Sequence, residues 1–114
     1  MIKLKDVPKN MIANNLVPSE PIHPGEMIKD EIESRGMTQK SLAQRMGVSY
    51  TVLNEVLNGK RPVSPRYALM LEAALDIPAY FWIRLQSDYD LQVARMDKSF
   101  VSKLEGIRKY AAML

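Results

Sequence analysis

The chain has no cysteine and a single histidine in 114 residues. Disulfides, thiol nucleophiles and thiolate metal ligands are therefore excluded. A structural zinc site is not expected, since such sites need four nitrogen or sulfur ligands. A reducing cytoplasm is the compartment that fits. No apolar run approaches the length that spans a bilayer, and the opening MIKLKDVPKN lacks the apolar stretch of an export signal. No nucleophile–base pair, metal cluster or phosphate-cradling glycine loop is present. No enzymatic activity and no cofactor are expected.

What is present is an ordinary apolar fraction of 46%, enough for one small core, and an uneven charge. Residues 1–34 carry four basic and six acidic side chains. Residues 35–66 carry Arg35, Lys40, Arg45, Lys60, Arg61 and Arg66 against Glu55 alone, a balance of +5. Residues 67–96 return to −2, and residues 97–114 carry +2. The net charge of +3 thus hides a basic middle third. That third suits a polyanion such as nucleic acid, or is a solvated face.

The punctuation is helical. Gly36, Gly47 and Gly59 each close a helix-like stretch, as glycine does past a helix end. Pro24 opens a helix over about 24–35 with Met27, Ile28 and Ile32 inward and Lys29, Asp30, Glu31 and Glu33 outward. Thr38 reads as the N-cap of a helix to Met46 that buries Leu42, Ala43 and Met46. Ser49 caps a helix to about Asn58 that buries Leu53, Val56 and Leu57. Ser64–Pro65 starts a fourth, carrying Ala68, Leu69, Leu71, Ala74 and Leu75 and stopping before Pro78. A fifth runs from about Ala79 to Arg95. Nothing alternates with period two, so no sheet is expected. Residues 1–22 read as an irregular arm with a short helical turn near Asn10–Asn15. The domain proper spans 23–96. Over 97–114, Phe100, Leu104, Ile107, Ala111 and Leu114 stripe an amphipathic helix.

The block from Thr38 to Lys60 holds two short helices joined by a turn too tight for antiparallel packing. Gly47 permits a left-handed backbone there, Ala43 allows close approach, and Val48 anchors the turn. This is the pattern of a helix-turn-helix, whose second helix enters the major groove. Gln39, Leu42, Ala43, Gly47, Val48, Ser49, Leu53, Val56, Asn58, Gly59 and Lys60 give the block its resemblance to Cro- and C1-like phage repressors. The resemblance extends over residues 21–95: HPGE before the first helix, VLNG after the third, a serine–proline start, PAYFW, and LQSDYDL in order. In this the chain resembles the HigA-type antitoxins.

The resemblance implies an all-α, five-helix lambda-repressor-like domain with an added C-terminal helix. It also implies a homodimer that binds double-stranded operator DNA, represses its own operon, and neutralises an mRNA-cleaving ribonuclease toxin. A plain transcriptional regulator without a toxin is the alternative. Carried over residue by residue, Gln39 contacts a phosphate, and Ser49, Tyr50, Thr51, Asn54 and Glu55 face the bases. The chemistry suits this: Asn54 can pair with adenine, Glu55 can accept from cytosine, and Thr51 can touch the thymine methyl. Glu55 is tolerable near phosphates if Arg61 neutralises it. Asn58, Lys60 and Arg61 lie in the following loop, where amides and cations meet phosphate. Lys40 and Arg45 either flank the DNA or face solvent. His23 reads as a helix-entry residue, because nothing nearby makes it catalytic. Trp82, Leu85 and Tyr89, at helical spacing, are core by default and are also offered as a dimer contact, with Leu91 or Val93 on the surplus face. The N-terminal arm is expected to meet a partner, and the C-terminal helix to serve in dimer or partner contact.

Overall fold

The computed structural model describes residues 20–113. The helical turn expected near Asn10–Asn15, almost all of the arm, and Leu114 lie outside the described residues. The described chain is six helices without a strand: α1 (Pro24–Ser34), α2 (Gln39–Met46), α3 (Tyr50–Leu57), α4 (Pro65–Leu75), α5 (Ala79–Met96) and α6 (Lys98–Ala112).

Each start has a local cause. His23, Thr38, Ser49, Ser64 and Asp97 cap α1, α2, α3, α4 and α6, each accepting from a backbone N–H of the next turn that the helix itself cannot satisfy. Pro24 and Pro65 sit in first turns, where no N–H is missed. Asp97 ends α5 and begins α6, accepting from the N–H groups of Ser99 and Phe100. These bonds, led by that of Phe100, hold its carboxyl below the usual carboxylate range. The end of α4 is held across the fold: its last residue, Leu75, accepts at its carbonyl from the Arg35 guanidinium at 2.8 Å.

Ile28, Leu42, Leu53, Leu57, Leu71, Leu75 and Trp82 form the fully buried centre of one core shared by α1 to α5. Helix α6 buries none of its residues and packs chiefly on α5. Two expectations are corrected here. Trp82, offered as a dimer contact, is fully buried among its own protomer's side chains and cannot meet a second copy. Leu85 packs on the same core, and Tyr89 turns its ring edge-on to His23. Positions 82, 85 and 89 trace the inward stripe of α5; Val93 and Met96 continue that stripe and are exposed, and Leu91 is exposed on the other side of the helix. Leu69, counted with the apolar set of α4, is exposed.

One backbone approach positions the whole functional half. The start of α1 lies against the C-terminal carbonyls of α3. A Cβ on Gly25 would stand 2.4 Å from the carbonyl oxygen of Val56 and 2.6 Å from that of Leu57. Neither obstacle is a side chain that can swing away. Gly106, by contrast, sits within α6 with nothing near its missing Cβ. Denaturation should therefore give opposite signs for one substitution type. Gly25→Ala should cost roughly 1–3 kcal/mol, the range of forced overpacking and backbone displacement. Gly106→Ala should stabilise α6 by up to about 1 kcal/mol.

Candidate nucleic-acid interface

The α2–turn–α3 unit is built from local signals. The Thr38 hydroxyl accepts from the Ser41 N–H at 3.0 Å, and the Ser49 hydroxyl from that of Val52 at 3.1 Å. Between the helices, Gly47 adopts φ 69° and ψ 32° as the C-cap of α2. Nothing crowds its missing Cβ, so glycine is required there by dihedral angle and not by space. Leu42, Ala43 and Met46 of α2 and Leu53, Val56 and Leu57 of α3 turn inward.

The outward residues are those expected to meet DNA. Ser49, Tyr50 and Thr51 are exposed at the start of α3, with Tyr50 52% accessible. Ser49 has a prior task, since its oxygen caps the helix. Asn58, Lys60 and Arg61 are exposed beyond the far end of α3, and Lys40 and Arg45 on α2 are also exposed. Gln39, Asn54 and Glu55 are half-buried. Glu55 pairs with the Arg61 guanidinium, which matches its charge within the protein. Asn54 is not free: it donates to Gln39 Oε1 at 3.0 Å and accepts from Asn58 Nδ2 at 3.1 Å.

The loop after α3 is held from behind by residues that sequence reasoning did not assign to the site. Gln86 of α5, 7% exposed, accepts through Oε1 from the Val63 N–H at 2.8 Å and donates to Asp90 at 3.0 Å. His23 accepts through Nδ1 from the Gly25 N–H at 2.9 Å, and its ring lies against the loop at Gly59, where a Cβ would stand 3.6 Å from it. The Tyr89 ring stands edge-on to it, with centroids 4.9 Å apart. The HPGE and LQSDYDL segments thus converge behind the cation-bearing loop. Their recurrence as a pair was the one signal that could have found them; neither carries a pattern that forecasts the contact.

A capped, outward-facing second helix, a glycine turn and a cation-bearing loop define the class as a DNA-binding helix-turn-helix domain. The comparisons agree. The Helix-turn-helix family model matches residues 28–82. Virulence-associated protein I of Dichelobacter nodosus is 32% identical over 82 residues, covering 71% of this chain and 76% of that protein. Antitoxin HigA-1 of Vibrio cholerae is 39% identical over 72 residues, covering 62% of this chain and 68% of that protein. A HigA-family addiction module antidote protein from Coxiella burnetii superposes with TM-score 0.69 at 31% identity, covering 76% of this chain and 94% of that one. The Pseudomonas aeruginosa antitoxin HigA, solved with the higBA promoter, gives TM-score 0.66 at 33% identity, with 70% and 88% covered. The chain belongs to the HigA family of helix-turn-helix antitoxins. Among the described residues no helix is long and apolar enough to cross a membrane, and no cluster of ligating side chains fits a metal ion.

The His23 cap generates a pH dependence. Burial lowers its pKa below the ordinary 6.5, against opposing contributions from the Arg61 backbone, Asp90 and Glu26. The unfolded chain therefore takes up this proton first as pH falls. The stability from neutral His23 is complete above about pH 6.5 and is lost as pH drops through the lower folded value. Thermal melts should show the wild-type midpoint falling on acidification from neutrality. In His23→Asn, which keeps a capping oxygen but does not titrate, that part of the decline should vanish.

Proposed function

We propose that this protein is a dimeric autorepressor and antitoxin, which lays α3 in the major groove of its operator and separately holds a ribonuclease toxin inactive. The observation that carries the DNA reading is the placement of charge and exposure around α3. Its inner face is locked in the core. Its first turn offers Ser49, Tyr50 and Thr51 to the bases, and cations lie beyond its last. Gln39, Asn58, Lys60 and Arg61 are placed for the phosphate rails, which fix register and orientation. Glu55, matched by Arg61, stands beside the groove without a net repulsive charge. The toxin reading rests on the family, with the N-terminal arm as the segment that meets the toxin.

Co-expression with the product of the neighbouring gene, followed by titration on a duplex from upstream of the operon, tests both halves. The partner should co-purify, and the complex should lose it on removal of residues 1–20. Binding to the duplex should weaken steeply with salt as counterions return to the DNA. Lys60→Ala should weaken all duplexes alike and lower the salt slope by about 1. Thr51→Ala should relax preference at one base pair by about 1 kcal/mol or less, the worth of one buried methyl contact. Failure to co-purify defeats the antitoxin reading, and salt-insensitive binding defeats the repressor reading.

Dimerisation has a geometric purpose, since a two-fold places two recognition helices about one DNA turn apart, roughly 34 Å. The apolar side chains available for it are Leu91 and Val93 on α5 and Phe100, Ile107 and Tyr110 on α6, all exposed in the single chain. In sedimentation at micromolar concentration the protein should run as a dimer, and Leu91→Glu together with Ile107→Glu should shift it to a monomer with its helical spectrum intact. A wild-type monomer would remove the dimer from this account.

A further inference from the structure

Three side-chain amides form a row across the helix-turn-helix. Asn58, the C-cap of α3, donates through Nδ2 to Oδ1 of Asn54 at 3.1 Å, and Asn54 donates through Nδ2 to Oε1 of Gln39 at 3.0 Å. The row has one direction: Asn58 and Asn54 each give a hydrogen of the NH2 group forward, and Asn54 and Gln39 each receive at the carbonyl. Its leading end is Nε2 of Gln39, whose two hydrogens are not used within the row. Gln39 is the first residue of α2, directly after the Thr38 cap. There the backbone N–H groups are unpaired by the helix and the dipole is positive.

An unrestrained glutamine presents its oxygen or its nitrogen outward with nearly equal ease. Towards a phosphate oxygen the two are opposite in effect: the NH2 group donates, whereas the carbonyl repels. A donor placed at the inner oxygen of Gln39 removes that choice, because the oxygen is then engaged and the NH2 group must face out. Asn54 supplies this donor, and Asn58 fixes Asn54 in turn. Asn54 is half-buried between α2 and α3, with one donor and one acceptor already committed, so the protein and not a base sets its amide plane. Bidentate pairing with adenine would use the second hydrogen of Nδ2 and the second lone pair of Oδ1, and only in the plane that Gln39 and Asn58 already fix.

We propose that Asn54 is a positioning residue, acting on DNA through Gln39 by holding that amide with its NH2 group towards a phosphate, and that it is not a reader of base sequence. The proposal rests on the DNA-binding reading above and replaces the expectation that Asn54 recognises adenine. The consequence is that the middle of α3 contributes to grip, and sequence preference comes from its first turn.

The test is a double-mutant cycle with the full-length protein, read as affinity for the upstream duplex and for its single-base-pair variants. Gln39→Ala should weaken binding about ten- to a hundredfold, the loss of one hydrogen bond to a charged group, and Asn54→Ala by a smaller factor, because a released Gln39 can still turn its NH2 group to the phosphate. The double variant should lose no more than Gln39→Ala alone, because Asn54 acts only through that contact. The loss for Asn54→Ala should be the same on every duplex. Asn54→Asp keeps shape and the acceptor for Asn58 but deletes the donor to Gln39. It should melt near wild type and still lose affinity. In nuclear magnetic resonance spectra the Gln39 side-chain amide signal should move further on addition of duplex in wild type than in Asn54→Ala. Losses that multiply, relaxed preference at a single base pair in Asn54→Ala, or a Gln39 signal that moves equally in both would each overturn the proposal. Absence of binding by the wild-type protein would instead defeat the DNA-binding reading itself.

Discussion

The structure depends on the close approach of two backbones, the start of α1 against the end of α3. Recognition by a helix in a groove requires that the helix be held at a fixed angle, and an eight-residue helix cannot hold itself. Gly25 leaves room for the Val56 and Leu57 carbonyls to sit where a methyl group would otherwise be. The head-to-tail meeting also sets the positive end of one helix dipole against the negative end of another. Once α3 is seated there, the loop that follows it emerges against the His23 ring at Gly59, and its Val63 N–H is taken up by Gln86. The exposed cations of the loop thus rest on a buried polar support.

That support is polar because the loop itself has unpaired backbone groups. A buried N–H without an acceptor costs more than the bond returns when made. Gln86 and His23 are the two buried polar side chains among the described residues, and each is spent on the backbone of this region. The result couples three remote segments: the entry to α1, the loop after α3, and the middle of α5. It also explains why α5 carries Gln86, Tyr89 and Asp90 close together on a helix that otherwise contributes apolar packing and an exposed apolar end.

The local features were legible in sequence because their causes are local. A hydroxyl three residues before a free N–H makes a cap, a proline fits a first turn, and a glycine accepts φ 69°; Thr38, Ser49, Ser64, Pro65 and Gly47 all fell where expected. The Glu55–Arg61 pair was legible as a condition for placing a carboxylate near phosphate. Trp82 was half-legible. Its spacing with Leu85 and Tyr89 identified one face of α5, but periodicity says that residues share a face and not which neighbour covers it. The bond from Asn54 to Gln39 was illegible, since it joins residues fifteen positions apart on helices whose crossing the sequence does not state.

By itself the sequence determined where the helices begin and end, which stripe of each is apolar, that positive charge gathers in the middle third, and which family the motifs resemble. These are consequences of dihedral preference, hydrogen-bond supply and composition along one stretch of chain. Tertiary structure alone decided that Trp82 is unavailable to a second copy, that Gly25 is needed for space, and that Gln86 and His23 serve the recognition loop. Each of those facts depends on the distance between segments far apart in the chain, and that distance is settled only when the helices pack.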